Sequence, residues 1–141
     1  MAAGWEENEM RKIILGLVLA LLVLSTLALA GGPAPGGIII DNQGQKIVVE
    51  RFDKLLETYP FVYQDSEMKV PMADIKSLTY NNDDTITLVN SKGKTFTVTG
   101  EMGVSYTEMI SYQTKNPIDG SLQAQTIDPF LVKKIVFDWK K

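Results

Sequence analysis

Hydrophobic and polar positions divide the chain into three regimes. From Ile13 to Ala30 no residue is charged. From Gly31 to Gly37 the run GGPAPGG mixes glycine and proline, which suits a tether better than a strand interior. From Ile38 onward apolar residues recur mostly at every second position, the period of a strand with one buried face.

The run IIIDNQGQKIVV reads as two short apolar stretches around a turn supplied by Asp41, Asn42 and Gly44. In VVERFDKLLETYP the period changes. Val48, Phe52, Leu55, Leu56 and Tyr59 fall on one stripe of a helix, with charged residues between them. Pro60 ends that stripe, because the residue before a proline leaves the helical region. The spacing predicts one short helix over 49–58, overlapping a strand through Ile47 and Val49.

TYPFVYQ reads as a strand that turns near Asp65, Ser66 and Glu67 into MKVP, and KSLTY as another with Leu78 and Tyr80 on one face. The clearest local pattern lies in TITLVNSKGKTFTVTG. Ile86 and Leu88 alternate with Thr85 and Thr87; beyond a turn at Asn90 to Lys94, Phe96 and Val98 alternate with Thr95, Thr97 and Thr99. That is a half-buried hairpin with a hydroxyl-rich outer face. Met102, Val104, Tyr106, Ile110 and Tyr112 continue the alternation, with Glu108 on the same face. NPIDG is a turn, SLQAQTI a polar return strand, and Ile135, Phe137 and Trp139 share one face of the last strand. About eight strands and one helix result: mainly β, a small antiparallel β-sandwich or open barrel over 38–141, preceded by an N-terminal signal peptide.

One internal echo stands out. VPMADIKSLTY (70–80) aligns with IDPFLVKKIVF (127–137), matching Val70 to Ile127, Ile75 to Val132, Leu78 to Ile135 and Tyr80 to Phe137. Each reads as a strand end, a proline-containing turn that plugs one apolar side chain into the core, and a new strand. Two readings fit: a duplicated β unit, or two strands of one sheet that begin in the same way.

The leader concerns location. Arg11 and Lys12 precede the apolar run, and Ala28-Leu29-Ala30 supplies the small-x-small pattern of a signal-peptidase site. Residues 10–30 therefore read as a signal peptide, and the product as exported, periplasmic or extracellular. The run also reaches the length threshold for spanning a bilayer. An uncleaved anchor is the rival reading, and the only membrane contact expected. Glu6, Glu7 and Glu9 are acidic where such a leader is positive, so residues 1–9 read as an extension ahead of a start at Met10.

Composition narrows the chemistry. The net charge is −3, with 14 Lys+Arg against 17 Asp+Glu, and no basic stripe points to nucleic acid. Cysteine and histidine are both absent. Disulfides, thiolate metal sites, a cysteine nucleophile and a Ser-His-Asp triad are thereby excluded within one chain. No cofactor motif is present, and the chain reads as a non-enzyme. Asp41, Asp83, Asp84, Asp119 and Asp128 sit in turns, where aspartate serves the backbone; with no D-x-[DN]-x-[DN]-G loop in the chain, no metal site is expected.

Tyr106, Tyr112, Glu108 and Trp139 are the candidate ligand surface, since Tyr and Trp pair an apolar face with a polar tip. The favoured function is a non-catalytic binding or assembly module of the cell envelope. Its partner would be another protein or a second copy, joined through strand edges. The alternatives are a small-molecule or carbohydrate-binding domain with an aromatic surface, and an anchored subunit of a membrane complex.

Overall fold

A computed structural model of the chain describes residues 34–139. The leader expected at 10–30, the extension expected at 1–9 and the start of the expected tether lie outside the described residues. Eleven strands and two 3-10 turns make up the rest: β1 (Gly36–Asp41), β2 (Lys46–Val49), β3 (Arg51–Asp53), β4 (Thr58–Tyr63), β5 (Ser66–Pro71), a first 3-10 turn (Met72–Asp74), β6 (Ile75–Tyr80), β7 (Ile86–Asn90), β8 (Thr95–Val98), β9 (Ile110–Lys115), β10 (Leu122–Ile127), a second 3-10 turn (Pro129–Leu131) and β11 (Val132–Asp138). They form a six-stranded sheet in the order β8-β7-β6-β11-β1-β2, a three-stranded sheet β10-β9-β3 and a hairpin β4-β5. Every pairing is antiparallel, and no sheet closes into a barrel.

The six-stranded sheet is built from two three-stranded halves that mirror one another. Its central pair, β6 and β11, sets Leu78 opposite Ile135, with Ser77 opposite Val136 and Thr79 opposite Lys134. Those residues are the matched positions of the sequence echo, so a pseudo-two-fold axis runs through the Leu78–Ile135 pair. The correspondence extends outward. β6 pairs with β7 through a register shift between Ile75 and Ser77; β11 pairs with β1 through the same shift between Val132 and Lys134. Both strands begin after a 3-10 turn, with Ile75 at φ −104° and ψ 124° and Val132 at φ −104° and ψ 127°.

The hairpin turns repeat as well. Asp41 Oδ1 accepts from the amides of Gln43 (2.9 Å) and Gln45 (2.8 Å). Asn90 Oδ1 accepts from those of Lys92 (3.0 Å) and Lys94 (2.9 Å). Gly44 and Gly93 each close their turn at φ 82°, a left-handed conformation that glycine adopts freely. The amide after each cap reaches the neighbouring 3-10 turn: Asn42 donates to the Leu131 carbonyl (2.9 Å), Ser91 to that of Asp74 (2.8 Å). A shared strand entrance alone would not reproduce bulge, turn and cap together. The segments 36–80 and 86–138 follow one structural plan, and each half of the sheet takes one strand from one segment and two from the other.

The core draws on every sheet. Ile39, Ile75, Leu78, Ile86, Ile110 and Ile135 are fully buried, and Phe52 and Tyr59 are the largest enclosed side chains. Met102 and Val104 join them from the connection between β8 and β9.

Three expectations are corrected. The helix over 49–58 does not form, and the only helical residues among those described are the two 3-10 turns. Arg51–Asp53 pairs with β9, Lys54 takes φ 55°, and Leu56 donates to the Val104 carbonyl (2.9 Å). A helix this short is marginal alone, so sheet partners win. Second, the segment from Glu101 to Met109 is not a strand. It runs against the β3–β4 connection through a Leu55–Ser105 bridge, which turns Tyr106 outward while Met102 and Val104 stay buried. Third, β1 begins at Gly36, inside the stretch expected to be tether. Gly37 permits this, because a Cβ there would lie 1.9 Å from the Val136 carbonyl oxygen.

Candidate functional site

The four residues proposed as a ligand surface go to different places. Glu108 is exposed and lines a cleft of about 740 Å³ with Tyr80, Glu101, Met109, Asp128 and Phe130. Tyr106 is exposed and does not line that cleft. Tyr112 is buried in β9, where loss of solvent raises its hydroxyl pKa above the ordinary tyrosine value. Trp139 packs beside Phe137 with ring centroids 5.9 Å apart, and its indole N–H donates to the Ile75 carbonyl (2.9 Å). No one pocket among those around the described residues unites them.

The turn carboxylates are occupied locally. Asp128 accepts from the Phe130 amide (2.9 Å) and so caps the second 3-10 turn. Asp119 accepts from the amide (2.9 Å) and hydroxyl (2.8 Å) of Ser121, which hold its carboxyl below the usual carboxylate range. Asp83 is lowered in the same way, first by the Thr85 hydroxyl and then by the Thr85 amide. Asp84 accepts from the Tyr80 hydroxyl, and that bond is the main cause raising the Tyr80 pKa.

What distinguishes the two repeats is their second hairpin. β4-β5 in the first repeat corresponds to β9-β10 in the second. Tyr59 lies opposite Val70 in one and Ile110 opposite Ile127 in the other. Each hairpin leans on the edge of the large sheet. Val62 and Thr99 exchange amide–carbonyl bonds of 2.8 and 2.9 Å, and the Glu50 amide donates to Gln113 (2.9 Å).

The surfaces they present differ. The first hairpin borders a cleft of about 760 Å³ lined by Tyr59, Phe61 and Met68 from one face of the hairpin and by Val62, Glu67 and Lys69 from the other, with Glu101 at its side. Tyr59 crosses beneath it and donates its hydroxyl to the Glu101 carbonyl (2.7 Å). A cleft beside the second hairpin, about 610 Å³, is lined by Arg51, Asp53, Gln113 and Gln125. There Arg51 pairs with Asp53 (3.1 Å), and Gln113 donates to the same carboxylate (2.9 Å).

The outer edges differ too. In an antiparallel ladder alternate residues aim their N–H and C=O away from the partner strand. The Met72 amide bonds the Glu57 carbonyl (2.9 Å), which fixes the phase of β5: Glu67, Lys69 and Pro71 face outward. Two charges and a residue without an N–H blunt that edge. The Asn116 amide bonds Ser121 (2.7 Å) and fixes the phase of β10: Leu122, Ala124 and Thr126 face outward. β10 ends its sheet, all but Ile127 of its residues are exposed, and none of them is charged. Nothing in the chain's alternation marks this strand as an open edge; only the absence of a pairing partner does.

No protein family matches the chain, and no curated protein or solved structure matches it either.

Proposed function

We propose that the domain is a non-catalytic binding or assembly module, exported by the leader at 10–30 to the cell envelope or beyond, which recruits a partner by strand addition to β10. One observation carries the reading. The outer side of β10 offers six consecutive uncharged residues, three of them with backbone donors and acceptors aimed away from the protein. Such an edge pairs readily with another extended chain. The second hairpin of the first repeat, built on the same plan, closes its edge with Glu67, Lys69 and Pro71. The openness of β10 is therefore a difference within one molecule and not a property of the unit.

Two measurements test this. A photo-reactive residue in place of Gln125 in the full chain, activated in the producing cell, is expected to give a discrete adduct in the envelope fraction. Ala124→Pro, which removes an outward N–H, is expected to abolish that adduct. A cell that yields no adduct contradicts strand addition. N-terminal sequencing of the accumulated protein is expected to begin at Gly31; an uncut chain in the cytosol contradicts export.

A further inference from the structure

We infer that the occupant of the β10 edge is a second copy of this chain, its β10 running antiparallel about a two-fold axis through Ala124; the inference rests on the strand-addition reading above. The outward backbone groups belong to Leu122, Ala124 and Thr126. Pairing about Ala124 sets Leu122 of each copy against Thr126 of the other, so every outward N–H meets an outward C=O. It also sets Gln123 against Gln125, whose amides can donate and accept in both directions. The dyad position itself holds alanine, the smallest side chain on the strand. No like charges oppose one another.

The exposed apolar residues fall where this geometry covers them. Ile118, at the tip of the β9-β10 hairpin, is 93 % exposed, and Phe130, in the turn after β10, is 90 % exposed. They stand beyond opposite ends of β10. Antiparallel pairing carries the tip of each copy alongside the 3-10 turn of the other, bringing Ile118 toward Phe130 twice per dimer. Burial of such side chains is a main source of association free energy. A single added strand from an unrelated protein would satisfy the backbone but carries no matched apolar tip.

The join also repeats one the protein already makes. Its large sheet unites two three-stranded halves through an antiparallel central pair on a pseudo-dyad. Pairing of β10 with β10 would unite two three-stranded sheets, β3-β9-β10, in the same manner.

The chain contains no cysteine, so one introduced thiol reports one contact. Ala124→Cys in the full chain, oxidised in the producing cell and after purification, is expected to run mostly as a disulfide-linked dimer of twice the chain mass. The Cα atoms of a hydrogen-bonded antiparallel pair lie about 5.5 Å apart, within disulfide reach. Leu122→Cys/Thr126→Cys is expected to give the same dimer through its cross pairs. Glu67→Cys, the matching position on β5, is expected to stay monomeric. Equal dimer from Glu67→Cys overturns the inference, as does monomer from both β10 variants. An adduct of another mass from Ala124→Cys, or a Gln125 photo-adduct of another mass with no disulfide dimer, overturns the second copy while leaving strand addition standing; no photo-adduct of any kind removes both.

Discussion

The two repeats agree in the sheet they share and disagree in the hairpins they carry. β1-β2 and β7-β8 have the same capped turn, and β6 and β11 start from the same 3-10 turn with the same bulge. Those features hold the common core, and a change in either copy disturbs both. The hairpins β4-β5 and β9-β10 each touch the sheet along one flank only, which leaves their outer surfaces free to diverge. One is blunted at its edge by Glu67, Lys69 and Pro71. The other is uncharged and open at its edge. Where a molecule repeats itself, the positions at which the repeats part company are the place to look for function.

The comparison can be strained first at the axis. Leu78→Ala and Ile135→Ala each empty a fully buried site and are each expected to cost about 2–5 kcal/mol. Because the two side chains face one another across the dyad, the costs should agree to within about 1 kcal/mol and the double variant should fall short of their sum. Chemical denaturation of the three variants checks this. A several-fold difference between the singles would mean the halves are not equivalent in the core.

Next comes a matched pair of unlike size. Gly37 in β1 stands where β7 has Ile86, and Phe52 packs beside it, 3.1 Å from where a Cβ on Gly37 would lie. Gly37→Ala forces a methyl against the Val136 carbonyl and is expected to cost about 3 kcal/mol by overpacking. The turn glycines should behave alike. Gly44→Ala and Gly93→Ala meet no atom within 4 Å, so each cost is conformational and about 1–2 kcal/mol, read as equal drops in Tm.

A pH effect separates the repeats further. Tyr59 occupies the site held in the second repeat by Ile110. Burial pushes its hydroxyl pKa well above the ordinary tyrosine value, with its bond to the Glu101 carbonyl opposing the shift. The unfolded chain therefore gives up that proton first. The stabilisation is complete below about pH 10 and is lost as the pH rises beyond it. Tyr59→Phe is expected to flatten the alkaline fall in Tm while losing about 0.5–1.5 kcal/mol at neutral pH with the hydrogen bond. The smallest effect on folding belongs to the edges. Ala124→Lys and Glu67→Ala should each change stability by less than about 0.5 kcal/mol, yet only Ala124→Lys should disrupt association.

Much of this fold was legible as alternation. The threonine-faced strands became β7 and β8, and the polar return strand became β10, at the positions read from their period of two. The helix over 49–58 was misread because Phe52, Leu55, Leu56 and Tyr59 satisfy a helical stripe and a bent pair of strands equally well. A left-handed Lys54 and bonds to residues far along the chain decided between them, and neither is visible in a local window. The repeat surfaced only at 70–80 and 127–137. The longer β9-β10 loop changes the spacing between Tyr59/Ile110 and Val70/Ile127, and a longer connection from β8 to β9 changes it between Asp41/Asn90 and Tyr59/Ile110. Among the candidate surface residues, Tyr112 and Trp139 have the amphipathic chemistry of binding residues but serve the core and its margin. The alternation set Tyr106 and Glu108 on the buried face; their exposure follows from the irregular path of 101–109, and the strand edge could not be read before pairing was known.

Amide hydrogen exchange on the full chain, resolved residue by residue along β10, tests the central claim most directly. Gln123 and Gln125 donate inward to β9 and should be protected in every state. Leu122, Ala124 and Thr126 should be protected at high protein concentration and lose that protection on dilution or with Ala124→Lys. If those three amides exchange freely at every concentration, in the cell extract as in the purified protein, the edge of β10 has no partner and the account fails.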